Sequence, residues 1–95
     1  MSELIKATAA LLVDDERVIA TQWTMPPGSE TGYHVHGHNY VVVYLAGGVL
    51  TVDTGNGEIQ APIEKHALTS RPAGIAHNVM NKSDQPIAFI EIEIK

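Results

Sequence analysis

The stretch PIAFIEIEI (residues 86–94) puts Ile90, Ile92 and Ile94 at one parity and Glu91 and Glu93 at the other. A period of two marks an extended strand, whose successive side chains point to opposite faces. It argues against a helix, whose apolar positions recur every three or four residues. Residues 17–25 (RVIATQWTM) alternate in the same way, and residues 39–47 (NYVVVYLAG) are dense in β-branched and aromatic side chains. Residues 49–63 read as a hairpin, two extended arms around the turn signal Gly55-Asn56-Gly57. Residues 66–72 and 76–81 add two more strands, bounded by turns at Pro72–Gly74 and in NKSDQP. In residues 86–94 the isoleucine face is expected to turn to the core, and Glu91 and Glu93 to solvent or a subunit interface.

The opening residues are the one place where a helix competes. SELIKATAALL holds good helix formers behind Ser2 as an N-cap, but ATAALLV running into DDE reads equally well as a strand entering a turn. A short strand is expected there. Many short strands, frequent turn residues and no substantial helix give an all-β sandwich or barrel. At 95 residues, with no repeat, linker or low-complexity tract, residues 1–95 are expected to form a single domain. Residues 1–16 then form an N-terminal strand or arm.

The chain has no cysteine, so disulfides and thiolate metal sites are excluded, and any metal must be held by imidazole or oxygen. A short chain with an apolar fraction of 44% and only 18% charged residues is expected to hide further surface in a homodimer, with the N-terminal arm at its interface. The six basic residues are scattered and the formal net charge is −5, so no basic stripe exists to track phosphates and nucleic acid is not an expected partner. Apolar runs such as residues 9–13 and 41–43 are too short to cross a bilayer as a helix. The first residues lack the basic start and apolar run of a signal peptide, so a cytoplasmic location is expected, with no membrane partner. No Ser/His/Asp arrangement or phosphate-cradling glycine loop is legible.

Chemistry concentrates in GYHVHGHNY (residues 32–40), where His34, His36 and His38 recur at every second position. On a strand, His34 and His36 present both rings on one face, at a reach suited to one ion. A third ligand must come from elsewhere, and His77, just after the turn RPAGIAH, qualifies. Imidazole donors without thiolate suit iron, nickel, copper, zinc or manganese. Spacing alone leaves two alternatives open, a metal site or a histidine-rich polar patch. His66, beside Lys65, reads as an ordinary surface histidine.

These residues also carry a resemblance. Residues 28–48 (GSETGYHVHGHNYVVVYLAGG) resemble the first signature of the cupins, a glycine, five residues, His-x-His, three or four residues, a glutamate, six residues and a glycine. Gly28, His34, His36 and Gly48 fall in register. The second signature, proline-x-glycine, two residues, histidine, three residues and asparagine, is matched by Pro72, Gly74, His77 and Asn81, with His66 standing where a further glycine is expected. The resemblance runs from about Ile19 to Lys95 and extends to short cupins labelled β-alanine degradation proteins, a label of pathway context that supplies no reaction.

The resemblance implies a small jelly-roll-like β-barrel with one divalent transition metal (Fe, Ni, Zn or Mn) inside its mouth, held by His34, His36 and His77. The chain departs from the family at the glutamate, whose position is Val41, or Tyr40 in the alternative register. Three neutral imidazoles leave the ion's charge uncompensated, which favours a small anionic organic ligand and acidifies bound water. The set resembles three-histidine iron dioxygenases among the cupins, so non-haem dioxygenase or isomerase/lyase chemistry is one expectation. The alternative is a non-enzymatic sensor or accessory barrel whose glutamate ligand is lost. His38 is a candidate metal ligand or outer partner unless the chain bends at Gly37. Tyr40 is a candidate pocket acid or hydrogen-bond donor, Val41 and Val43 a candidate apolar pocket floor, and Arg71 a candidate anion anchor. Trp23 reads as core or dimer packing, and Asn81 as the organiser of the NKSDQ turn.

Overall fold

The computed structural model describes residues 3–95, so the suggested cap at Ser2 lies outside the described residues. The chain forms β1 (Ile5–Lys6), β2 (Thr8–Asp14), β3 (Val18–Met25), β4 (Ser29–Glu30), β5 (His34–Val35) and β6 (Asn39–Tyr44). It continues with β7 (Gly48–Asp53), β8 (Glu58–Ile63), β9 (Leu68–Arg71), β10 (Ala76–Asn81) and β11 (Ile87–Ile94). No helix occurs among the described residues, and the opening segment resolves as the strands β1 and β2. One sheet runs β1-β4-β10-β7-β8, with β5 also paired to β10; the other runs β2-β3-β11-β6-β9. This is the double-layered all-β arrangement of a jelly-roll barrel.

The core lies between the sheets, where Met25, Ile87, Phe89, Tyr40, Val42, Leu50 and Val79 form one buried cluster. Removing a side chain the size of Phe89 from water contributes roughly 2–3 kcal/mol, and that drive decides which parity of β11 points inward. Directly paired residues share a face, so Phe89 opposite Tyr44 and Trp23 fixes the parity for the whole sheet. The inner row of β11 is Ile87, Phe89, Glu91 and Glu93. Ile90, Ile92 and Ile94 point outward beside Val41 and Val43 of β6 and Ala20 and Val18 of β3. The expectation from the Ile/Glu alternation is therefore inverted, and Glu91 is half-buried inside the barrel. Alternation separates two faces without saying which is the interior. Here the aromatic Phe89 decides it.

The turn after Asn81 is built by that residue's side chain. The fully buried Asn81 amide donates to the carbonyls of Met25 and Gln85 at 2.9 and 2.8 Å, and its oxygen accepts from the Ser83 amide at 3.1 Å. Between β8 and β9 the tight turn closed by Ala67 N–H on the Glu64 carbonyl places His66 at φ 72°. This is the left-handed region that the missing signature glycine would occupy without steric penalty. Histidine adopts it under strain, with its side chain exposed. His66→Gly is expected to stabilise the fold by about 0.5–1 kcal/mol, a rise of roughly 3–6 °C in Tm by calorimetry, because relief of strain outweighs the added flexibility of the unfolded chain.

Candidate metal centre

The site is assembled by pairing two segments distant in sequence. β5 lies antiparallel to β10 with His34 directly opposite His77 and Val35 opposite Ala76. His36 extends the pairing, its N–H donating to the Ile75 carbonyl at 2.9 Å and its carbonyl accepting from Gly74 N–H at 2.8 Å. Gly74 holds φ 96° to make that turn. Cross-strand partners share a face, and residues two apart on a strand share it too, so the three imidazoles are directed to one point.

His34 Nε2 lies 3.0 Å from His36 Nε2, which lies 3.1 Å from His77 Nε2. The Nδ1 of His34 is 2.7 Å from the Gly32 carbonyl. A carbonyl only accepts, so Nδ1 carries the proton and Nε2 presents a lone pair to the cluster. The single hydrogen that His36 Nε2 can carry does not satisfy both of its neighbours. One cation satisfies all three lone pairs, and nitrogens bound to a common ion at about 2.1 Å lie roughly 3.0–3.4 Å apart. The donor set therefore fits a divalent transition-metal ion. Burial, reinforced by the neighbouring imidazoles, pushes the pKa of His36 and of His77 down to about 4, which leaves both neutral, as metal ligands must be.

Tyr40 is buried and stacks on the His36 ring, centroids 3.9 Å apart and planes at 21°, which fixes the plane of that imidazole. Burial pushes its phenol up to about 12, so it stays an O–H donor. The structure thus takes the alternative register at the family's glutamate position, with Tyr40 facing the histidines and Val41 on the outer face. Val41 and Val43 do not floor the pocket. Tyr40, Val42 and Tyr44 do, because the parity that buries Tyr40 exports its neighbours. His38 falls at a bend, half-buried and outside the convergent group of His34, His36 and His77. Gly37 does not take a positive φ, so the bend needs no glycine there. Arg71, opposite Tyr40 on β9, lines the cavity from an exposed strand end.

Sequence reasoning missed the two glutamates. The Glu91 side chain, 12% exposed, brings Oε2 to 3.8 Å from His36 Nε2, and Glu93 Oε1 lies 3.7 Å from His36 Nδ1. Trp23, beyond its packing role, donates its indole N–H to Glu91 Oε1 at 3.3 Å. Burial, with the nearby Glu93 adding repulsion and the Trp23 N–H opposing, pushes the Glu91 carboxyl up to about 7. The sequence signal was the shared parity of Glu91 and Glu93 with Phe89. A cavity of about 470 Å³ lies on one side of the cluster, walled by Val42, Leu50, Val79 and Phe89 with His77, Thr69 and Arg71. A second, of about 390 Å³, is lined by Lys6, Trp23, Tyr33, His34, His36 and Glu93. Glu91 borders both.

The cupin-domain family model Cupin_2 matches residues 21–93. The chain belongs to the cupin family. This cupin is 44% identical to the beta-alanine degradation protein BauB of Pseudomonas aeruginosa over 95 residues, which cover 100% of both chains. A crystal structure of a cupin domain from Bordetella pertussis Tohama I matches with a TM-score of 0.96 and 40% identity, covering 100% of this chain and 99% of its own. The polyketide cyclase RemF of Streptomyces resistomycificus matches with a TM-score of 0.75 over 93% of this chain and 64% of its own, at 17% identity, a likeness of fold alone.

The perturbed groups set a pH dependence for the metal-free protein. Below pH 6.5 the unfolded chain protonates His36 and His77 while the folded chain does not, so acidification toward pH 4 removes stability. Glu91 acts in the opposite sense, holding between about pH 7 and 4.5 a proton that the unfolded chain has released. Two imidazoles outweigh one carboxyl. The Tm of chelator-treated protein is expected to fall from pH 6.5 to 4.5, and more steeply in Glu91→Gln, as read by calorimetry across that range.

Proposed function

We propose that this cupin binds one divalent transition metal through His34, His36 and His77 and presents it to a small organic acid. The observation that carries the reading is the convergence of three imidazole nitrogens at 3.0 and 3.1 Å with the His34 tautomer fixed by Gly32. The cavity of about 470 Å³ is of small-molecule size, and its apolar walls end at Arg71, whose guanidinium suits a carboxylate. When bound, the metal supplies Lewis-acid polarisation of an oxygen substituent or redox chemistry with dioxygen. Within the barrel, Tyr40 holds the His36 ring in plane and keeps a phenolic donor beside the ligand. Val42, Leu50 and Phe89 exclude water from the ligand's apolar portion. The name of the BauB relative makes β-alanine and related short carboxylates the first compounds to titrate.

Dioxygenation or isomerisation is the enzymatic form of this reading, and ligand binding without turnover is its non-enzymatic form. Tag-free protein is expected to carry roughly one equivalent of a transition metal by elemental analysis, and His77→Ala to lose nearly all of it. Equal metal content in both proteins, or none in either, overturns the reading. Oxygen uptake by iron(II)-loaded protein with a bound carboxylate separates the enzymatic form from the carrier.

We further propose a homodimer through the outer face of the five-stranded sheet. Val41, Val43, Ile90 and Ile92 form an apolar surface there, flanked by Leu68 and Ile94 at 64% and 48% exposure. β2, exposed at every residue, extends this surface at the sheet edge through Ala10 and Val13, paired with Gln22 and Ala20 of β3. Light scattering of the eluting peak is expected to give a dimer mass, and Ile92→Glu a monomer that retains its metal. A monomeric parent protein excludes this interface.

A further inference from the structure

The metal reading leaves a charge unexplained. Glu91 and Glu93 both face the barrel interior from β11, with side chains 12% and 25% exposed, and both flank His36. The ion pairs among the described residues that involve a lysine are Lys82–Glu58 and Lys95–Asp14, on the surface. Lys6 lines the same cavity as the two glutamates, but its ammonium is hydrogen-bonded to the Thr31 carbonyl. Arg71 lines the other cavity and forms no ion pair with Glu91. Among the described residues no lysine or arginine is ion-paired with Glu91 or Glu93, so a carboxylate buried here beside neutral imidazoles either gives up its charge by protonation or is stabilised by a bound cation.

The register shows how the carboxylate comes to be there. Tyr40 occupies the inward position where the family pattern calls for a glutamate. Across the sheet, Glu93 is paired with Tyr40, and Glu91 with Val42, on the same inner face. Paired and diagonal neighbours lie within about 5–8 Å, so a carboxylate moved from β6 to β11 stays at the same rim of the barrel. The indole N–H of Trp23 holds Oε1 and leaves Oε2 on the side of His36 Nε2.

We propose that Glu91 is the carboxylate ligand of this metal centre, taking over from β11 the part that the glutamate of β6 plays in the family pattern. The inference rests on the three-histidine reading above. Oε2 stands just outside the nitrogen cluster, 3.8 Å from His36 Nε2 against 3.0 and 3.1 Å between the nitrogens. Rotation of the flexible glutamate side chain closes that gap, driven by attraction to a divalent ion. Glu93 has a different part. Its Oε1 lies 3.7 Å from Nδ1, the ring atom turned away from the cluster, so it stands on the far side of His36 from the nitrogens and is not placed to bind the ion.

Cobalt(II) titration of the chelated protein tests this, with the visible d–d absorption reporting the donor set and chelator competition reporting affinity. Glu91→Gln keeps the shape and the acceptor for Trp23, and is expected to weaken cobalt binding at least tenfold and to shift the absorption bands. Glu93→Gln is expected to leave the bands in place. Glu91→Asp, which restores a carboxylate, is expected to recover affinity relative to the glutamine variant, and circular dichroism verifies that each variant is folded. Wild-type affinity and unchanged bands in folded Glu91→Gln overturn the assignment while the histidine site stands. Failure of the parent protein to bind cobalt overturns the metal reading and this inference with it.

Discussion

The pairing of β5 with β10 is the constraint on which the site depends. β5 contributes only two residues, yet its register sets His34 opposite His77 and, through the bonds of His36 to Ile75 and Gly74, brings the third imidazole alongside. A slip of one residue would turn His34 and His36 away from His77, whose facing β10 fixes by its own pairing with β7. So short a strand cannot hold its register alone. It is locked from both sides, by the Gly74 turn at one end and by the Asn78 side chain, which accepts from Gly32 N–H at 3.0 Å, at the other. Asn78 is itself held by Glu30, to which it donates at 2.7 Å. His34 and His36 are thus positioned by a polar lattice around them more than by the two-residue strand β5 itself.

Apart from β4 and β5, the strands from residue 17 onward were legible because each is long enough to show its period and is bounded by turn residues. β4 and β5, two residues each, fall below the length at which any period exists. The triad was legible because His-x-His encodes a shared face and because the second motif supplied His77. The facing of β6 and β11 was not. VVVY and FIEIEI offer plausible apolar rows at either parity, and only packing across strands, Phe89 against Tyr44 and Trp23, breaks the tie. That one choice carries Val41 and Val43 outward and Glu91 inward together, so the errors at those positions are a single error. Small size sharpens it, since a chain this short has no helix layer to cover the outside of the sheet and leaves its isoleucines half-exposed.

Tyr40 shows how the site accommodates the loss of a carboxylate on β6. A tyrosine at that position would be a poor replacement for a ligand, and its geometry is not that of one. It lies flat on His36, immobilising the ring by stacking. Its phenol, held neutral by burial, adds no charge. If Glu91 is the carboxylate ligand proposed above, the ring-orienting and charge-compensating tasks that a glutamate performs together would be divided between two strands, Tyr40 for orientation and Glu91 for charge.

That division has a consequence for the ligand. A divalent ion held by three neutral imidazoles and one carboxylate retains one net positive charge. A monoanion about 4 Å from that charge gains roughly 4 kcal/mol at an effective dielectric of 20, nearly a thousandfold in affinity. Were Glu93 also bound to the ion as a carboxylate, the centre would be neutral and that preference would vanish. With the ion bound, the orientation of Glu93 toward Nδ1, away from the nitrogen cluster, would therefore matter as much for selectivity as the inward turn of Glu91. Arg71, which lines the cavity from an exposed strand end, would add a second positive charge for an anion to meet. A ligand with its carboxylate at the ion leaves the guanidinium free for a second anionic group.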